Sequence, residues 1–257
     1  MAPLKPIARG RRIALGVAFF VVFVGVWALV TLSGLVSPTF LASPPQMLEA
    51  GWNLLARFGF ARDIGYTVWR VFGGFALAAV IAVPPGVAMG AYKPVEAFFE
   101  PFVSFARYLP ASAFIPLLIL WLGVGESQKL AVIFIGSFFQ IVLMVAFTVG
   151  QTRRDLVEAA YTLGASDAGI VKRVLIPHAA PDIAEHLRLT LGWAWTYVIV
   201  AELIGSSEGI GHMITDSQAL LATDQMIFGI IVIGLIGLLS DFGFQAANRK
   251  LFHWKFV

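Results

Sequence analysis

Long apolar runs, separated by short charged stretches, set the pattern of the chain. Residues 13–36, 71–92, 108–125 and 130–152 carry no charge, residues 189–207 only Glu202, and residues 225–248 only Asp241. A helix rises about 1.5 Å per residue, so about 20 apolar residues cross a hydrocarbon layer of about 30 Å. The pattern predicts six crossings. It predicts five if either the third run, interrupted by Pro110 and Pro116, or the short fifth run stops short of a full span. Between the first two runs, Ser43, Pro44 and Pro45 read as a helix start. Met47, Leu48, Trp52, Leu54, Leu55 and Phe58 follow near helical spacing and predict an amphipathic helix at the interface or against the bundle. Pro84 and Pro85 predict a bend in the second span, and Gly86 and Gly90 a close helix–helix approach.

Composition agrees with this pattern. Of 257 residues, 59% are hydrophobic and 13% charged, and the mean hydropathy is +0.85. That is too apolar for a single water-soluble core or for a disordered chain. With no cysteine, a disulfide scaffold and a thiolate metal site are excluded. A net charge of +3 makes no case for nucleic-acid binding, but its distribution sets an orientation. Fourteen basic residues fall on one side: Lys5, Arg9, Arg11 and Arg12; Lys93 and Arg107; Arg153, Arg154, Lys172, Arg173 and Arg188; and Arg249, Lys250 and Lys255. Four fall on the other: Arg57, Arg62, Arg70 and Lys129. The excess of Lys and Arg places both termini and the 153–188 loop in the cytoplasm. The first span follows a basic arm as a signal peptide does, but it is too long and lacks a small-x-small cleavage site, so it reads as a retained anchor. The expected organisation is a cytoplasmic arm (1–12), a first span (13–36), an outer amphipathic segment (37–63), a core (64–248) and a cytoplasmic tail (249–257).

The 153–188 loop carries the most specific signal. Its residues read as a short helix, a stop at Gly164, a cap at Ser166, a second short helix and a break at Pro177. Leu156, Ala160 and Leu163 are expected on one face of the first helix, and Ile170 and Val174 on one face of the second. Glu158-Ala159-Ala160, three residues, Gly164, nine residues and Val174-Leu175-Ile176-Pro177 resemble the EAA signature of the membrane subunits of ABC importers. Val174 and Ile176 are conservative departures from that signature. From about residue 38 to 250 the chain looks like the nitrate, taurine, alkanesulfonate and bicarbonate branch. Segments that carry this likeness include Trp121-Leu122-Gly123-Val124-Gly125-Glu126, Pro177-His178-Ala179-Ala180-Pro181-Asp182 and Val200-Ala201-Glu202-Leu203-Ile204. Most of that branch has Phe where this chain has Leu122.

The resemblance implies an all-α polytopic bundle of the type I importer kind in the bacterial inner membrane. It implies two permease copies forming a pathway, two ATPase subunits that bind ATP and Mg, and a periplasmic binding protein that delivers a small anion. Glu158, Ala159, Ala160, Leu163, Gly164, Ala165, Ser166 and Pro177 would couple the chain to the ATPase.

No catalytic or metal site is read from the residues. A G-x-x-x-x-G-K-[ST] loop is absent, and Gly123 to Lys129 has the wrong spacing. Gly205-Ser206-Ser207-Glu208-Gly209 matches G-x-S-x-G but follows a membrane helix, so a turn is favoured over a hydrolase elbow. His178 and His212 lack ligand-spaced partners. Candidate pathway residues are Ser137, Gln140, Trp193, Trp195, Tyr197 and Glu202, with Ser112 and Thr196 as further polar positions. Glu202 reads either as a pathway residue or as a partner of Arg70, and Asp241 as a partner of Arg249 or Lys250. The competing reading is a secondary transporter or channel without ATPase partners, which would leave the EAA loop unused.

Overall fold

The computed structural model describes residues 7–255, which are mostly helical and contain no strand. Lys5 of the basic arm lies outside the described residues. In chain order the α-helices are α1 (Arg9–Leu32), α2 (Pro44–Arg57), α3 (Phe60–Ala91), α4 (Lys93–Ala106), α5 (Ile115–Leu122), α6 (Glu126–Gly150), α7 (Arg154–Thr162), α8 (Asp167–Ile170), α9 (Ile176–Leu203), α10 (Ile210–Ala219) and α11 (Thr223–Leu251). They gather into two compact units. One holds the described residues up to Phe60 with Met213–Ile231, and the other Ala61–His212 with the described residues from Val232 onward.

In the first unit, α1 is apolar on every side and buries none of its most apolar stretch; Phe19, Phe20 and Phe23 are all exposed. Such a helix is stable in lipid, where its backbone groups are satisfied internally. The start of α2 is fixed by Gln46, whose Oε1 accepts from the Ser43 backbone N–H at 2.9 Å. Pro44 sits in the first turn, where no backbone donor is needed. The buried face of α2 is Met47, Ala50, Gly51 and Leu54. Leu48, Trp52, Leu55 and Phe58, expected on that face, are exposed. The reason is close packing: a Cβ on Gly51 would lie 2.2 Å from the Phe228 ring. At Gly51 that face must stay small, with Met47 and Leu54 buried on either side of it, while Leu48, Trp52, Leu55 and Phe58 form a second, outward stripe.

In the second unit α3 presents a stripe of small residues four apart, Gly74, Ala78, Ala82, Gly86 and Gly90. A Cβ on Gly74 would meet Ile133 at 2.8 Å, one on Gly86 would meet Val145 at 2.7 Å, and one on Gly90 the Ala146 carbonyl at 2.5 Å. These residues bring α3 and α6 together almost backbone to backbone, as small-residue stripes do in membranes. Helix α3 runs on through Pro84 and Pro85. The core adds Ile141, Val142, Val149, Leu191, Ala194 and Val198 from α6 and α9.

The spans differ in part from the expectation. Among the described residues four helices, α1, α3, α6 and α11, are long and apolar enough to cross a membrane, and the count is five if the bent pair Lys93–Ala106 and Ala111–Leu122 forms one span. The expected third span is not one helix. A 3₁₀ turn at Ala111–Phe114 and the eight-residue α5 make up its latter part, and α4 meets them at a bend of 83°. Prolines cause this: Pro110 precedes the turn and Pro116 occupies the first turn of α5. The expected fifth span lies within α9, which has 28 residues but carries Asp182, Glu185, Arg188 and Glu202 and is not among the four.

Candidate functional site

The loop between α6 and α9 folds as the hairpin read from the sequence, with one change. Helix α7 ends at Gly164, whose φ is +81°. The Ala165 N–H reaches the Ala160 carbonyl at 3.0 Å, and the Gly164 N–H reaches that of Tyr161 at 2.9 Å. This is a Schellman closure, which needs a left-handed residue and selects glycine. Ser166 then caps α8, its Oγ accepting from the Gly169 N–H at 3.3 Å. The expected break at Pro177 is absent. A π turn at Val171–Leu175 carries the helix into α9, and Pro177 falls in the first turn of α9, so its missing donor is absorbed.

The hairpin is rooted in the core by Ile170 and Leu175, both buried, and by Val157, Ala160 and Ala165 packed beside them. A cleft of about 250 Å³ at its base is lined by Tyr92, Val149, Tyr161 and Asp167. The Tyr161 hydroxyl donates to Asp167 at 2.8 Å, and this bond holds the phenol above its ordinary pKa. Arg153 bonds Asp155 at the start of α7 and lowers its carboxyl pKa. Leu156 and Leu163 do not share the buried face of Ala160. They point outward, Leu163 being 88% exposed, and with Glu158, Ala159 and Ser166 they leave an exposed surface around the turn.

A second cluster is buried. Arg70 is 1% exposed. Its Nε donates to Glu126 at 2.8 Å and its Nη2 to the same carboxylate at 2.5 Å. Its Nη1 donates to Glu202 at 2.8 Å and to the Glu208 carbonyl at 2.7 Å. Glu202 also accepts from the Thr67 hydroxyl at 2.9 Å and the Gly211 N–H at 2.8 Å. The Gly209 N–H donates to Asp63 at 2.7 Å. Residues 205–209 are thus a turn clasped over Arg70. A Cβ on Gly209, where φ is +118°, would sit 2.6 Å from both Arg70 Nη1 and Glu202. Of the two readings of Glu202, the structure supplies the Arg70 partner. Asp241 pairs with Arg188 of α9 at 2.9 Å rather than with Arg249 or Lys250. Among the described residues no cluster of three or more His, Asp or Glu could hold a metal.

The third feature was not visible as a site in the sequence. Lys93, Glu96, Glu100, Ser104 and Arg107 recur three or four residues apart along α4 and its C-cap. Phe98, Phe99, Phe102 and Phe105 occupy other faces and are exposed. Glu96, Glu100, Ser104 and Arg107 line an open cavity of about 350 Å³ against α6, where Gln140, Leu143, Met144 and Phe147 form the other wall. Of the expected pathway residues only Gln140 is found here. Ser137 is fully buried, with its hydroxyl unpartnered. Trp195 is buried edge-on to Phe72. Tyr197 lies over Gly136, and Trp193 is half exposed. The missed signal was the helical spacing of four charged or polar positions after Lys93-Pro94, hidden because they interrupt an apolar run.

Residues 74–253 match the family described as binding-protein-dependent transport system inner membrane component. A probable ABC transporter permease of Brucella abortus is 37% identical, across 96% of this chain and 98% of its own length. The taurine transport system permease of Escherichia coli is 31% identical, across 95% of this chain and 90% of its own. The inward-facing methionine ABC transporter MetNI has a chain of similar fold, with a TM-score of 0.67 at 21% identity, covering 74% of this chain and 95% of that one.

Proposed function

The chain belongs to the binding-protein-dependent transport system inner membrane components, the permease subunits of ABC transporters, and from that premise we propose that it forms half the pathway of an importer for a small anionic solute. The solute is nitrate, taurine, another sulfonate or a similar oxyanion, as the name of the taurine permease suggests. ATP hydrolysis belongs to partner subunits; the family has no cofactor of its own. Two ATPase subunits holding ATP and Mg, a second copy of this chain and a periplasmic binding protein complete the assembly. Residues 1–12, 153–188 and 249–257 face the cytoplasm, residues 37–63 face outward, and residues 64–248 form the core.

The observation that carries the reading is the hairpin: a surface exposed at Glu158, Ala159 and Leu163, closed by Gly164 and Ser166, and rooted by Ile170 and Leu175 in the core beside α3 and α6. A rigid element with an exposed tip passes motion on, since a packed core does not deform smoothly. An ATPase that grips the tip in one nucleotide state can then bias the bundle between two arrangements. The α4 cavity is the wall along which the solute passes. The deciding measurement is uptake by proteoliposomes holding the chain with its ATPase and binding protein. Uptake should require ATP, and Glu158→Lys should abolish both uptake and co-purification of the ATPase. ATP-independent uptake by the permease alone would support a secondary transporter instead.

A further inference from the structure

We infer that the cleft at the base of the hairpin binds a small organic ammonium, which ties the hairpin to the core. The cleft, of about 250 Å³, stands where α3, α6, α7 and α8 meet. None of the residues that line it is basic. Helix α3 ends in it at Ala91 and α6 at Gly150, and neither has a basic residue in its last turn. The last carbonyls of a helix lack intrahelical partners and together carry a negative charge of about half an electron. The Gly90 carbonyl approaches the end of α6, lying 3.8 Å from where a Cβ on Gly150 would stand. Asp167 adds a full negative charge. The Tyr161 hydroxyl donates to one of its oxygens, which leaves the other open. Among the described residues no Lys or Arg pairs with Asp167; Lys93 is held by Glu96 and Arg153 by Asp155. A separate observation points to a ligand. Thr152 lines the cleft and is only 9% exposed, yet its hydroxyl has no hydrogen-bond partner. A buried hydroxyl left unmet is costly, so one that borders a cavity marks where a ligand would bond.

The carboxylate and both helix ends favour a positive charge in the cleft. A metal ion is a poor match. Asp167 is the one carboxylate in the lining, and among the described residues no group of three or more His, Asp or Glu is gathered anywhere. An organic cation fits better. Val149, Val157, Ile170, Val171 and Leu175 give the cleft apolar walls, which suit a short carbon chain. Tyr92 and Tyr161 also line it, and phenol rings attract a cation to their faces. A primary ammonium has three donors. The open Asp167 oxygen, the Thr152 hydroxyl and a carbonyl at a helix end are the acceptors that match them. Such a ligand touches Tyr161 and Asp167 of the hairpin and Tyr92 and Thr152 beyond the ends of α3 and α6. By bridging them it favours one placement of the hairpin over others.

The test is isothermal titration of the full chain in detergent with n-butylammonium chloride, corrected for heats into empty micelles. Binding should saturate at one site per chain. The neutral analogue n-butanol, the anion butyrate and potassium chloride should give no saturable heat. Asp167→Asn should weaken n-butylammonium binding about tenfold or more, as loss of a charge-assisted hydrogen bond does. Thr152→Val keeps the side-chain shape and removes the hydroxyl. It should weaken binding several-fold without lowering the melting temperature, because no partner within the chain is lost. It decides the matter should Asp167→Asn fail to fold. Absence of saturable n-butylammonium binding would overturn the inference, as would equal binding of n-butanol, butyrate or potassium. Unchanged affinity in Thr152→Val, or in a folded Asp167→Asn chain, would do the same. So would a Thr152→Val chain that loses binding and melts lower, since the hydroxyl would then be serving the fold. The titration reads the chain by itself, so its outcome is separate from the transport reading, which the uptake assay decides.

Discussion

Arg70 has more at stake than any other residue. Its guanidinium meets two carboxylates and a backbone carbonyl while almost wholly buried. Removing one partner of a buried ion pair costs about 3–5 kcal/mol, because the other charge stays desolvated. Arg70→Ala should therefore lower the melting temperature of the detergent-solubilised protein more than any other single change in the clasp. Arg70→Lys should recover part of the loss, since it keeps the charge but not the fork that grips Glu126. Glu202→Gln should cost less than Arg70→Ala, because Arg70 keeps Glu126. Equal melting temperatures for wild type and Arg70→Ala would show that the clasp does not hold the fold together. This cluster was half legible. An acid inside an apolar run needs a cation or water, so the sequence offered Arg70 as a partner of Glu202 but left a pathway position open beside it. Glu126 and the carbonyl of Glu208 join only because α6 and the 205–209 turn fold onto α3, and Thr67 of α3 because Glu202 of α9 does, which no local spacing reports. Asp241 misled for the same reason: Arg249 and Lys250 are near in sequence, but Arg188 is near in space.

At the scale of elements, the hairpin separates fold from function. Leu163 is 88% exposed, so Leu163→Glu should leave the melting temperature unchanged within about 0.5 kcal/mol of stability. The same change should cost at least about tenfold in ATPase retention on a pull-down, as loss of a central apolar contact does. Gly164→Val should do both kinds of damage, since a left-handed conformation costs a side-chain-bearing residue about 1–2 kcal/mol and the turn that presents Leu163 would shift. ATPase retention unaffected by either change would remove the hairpin from the coupling role. On α3, Gly86→Val should lower folded yield, because its Cβ would stand 2.9 Å from the Val142 carbonyl, backbone that cannot step aside. The glycine stop and the serine cap were legible because each is a local rule with a local cause, and the EAA spacing was legible as a family resemblance. The inward face of α7 and the π turn before Pro177 were not. Both are set by what the hairpin packs on, and that packing turned Leu156 and Leu163 outward.

For the whole molecule, the expected spans that correspond to single long apolar helices are those whose apolar character is uniform: α1, α3, α6 and α11. Bends and mixed faces obscured the rest, as in α4 with its polar stripe and α9 with its charged first half. Orientation is the remaining whole-chain property, and the absence of native cysteine makes it directly measurable. From the distribution of Lys and Arg we propose that the hairpin and the carboxyl-terminal end of α11 lie on the cytoplasmic side, and α2 on the opposite side. Single cysteines at Glu158, Lys250 and Trp52, all exposed positions, report this with a membrane-impermeant maleimide. In intact spheroplasts the Trp52→Cys chain should be labelled, and the Glu158→Cys and Lys250→Cys chains should react only once the membrane is opened. The reverse pattern would place the hairpin outside the cell, away from any ATP-driven partner. A hairpin labelled from outside could not serve as the ATPase contact, however well its geometry suits one.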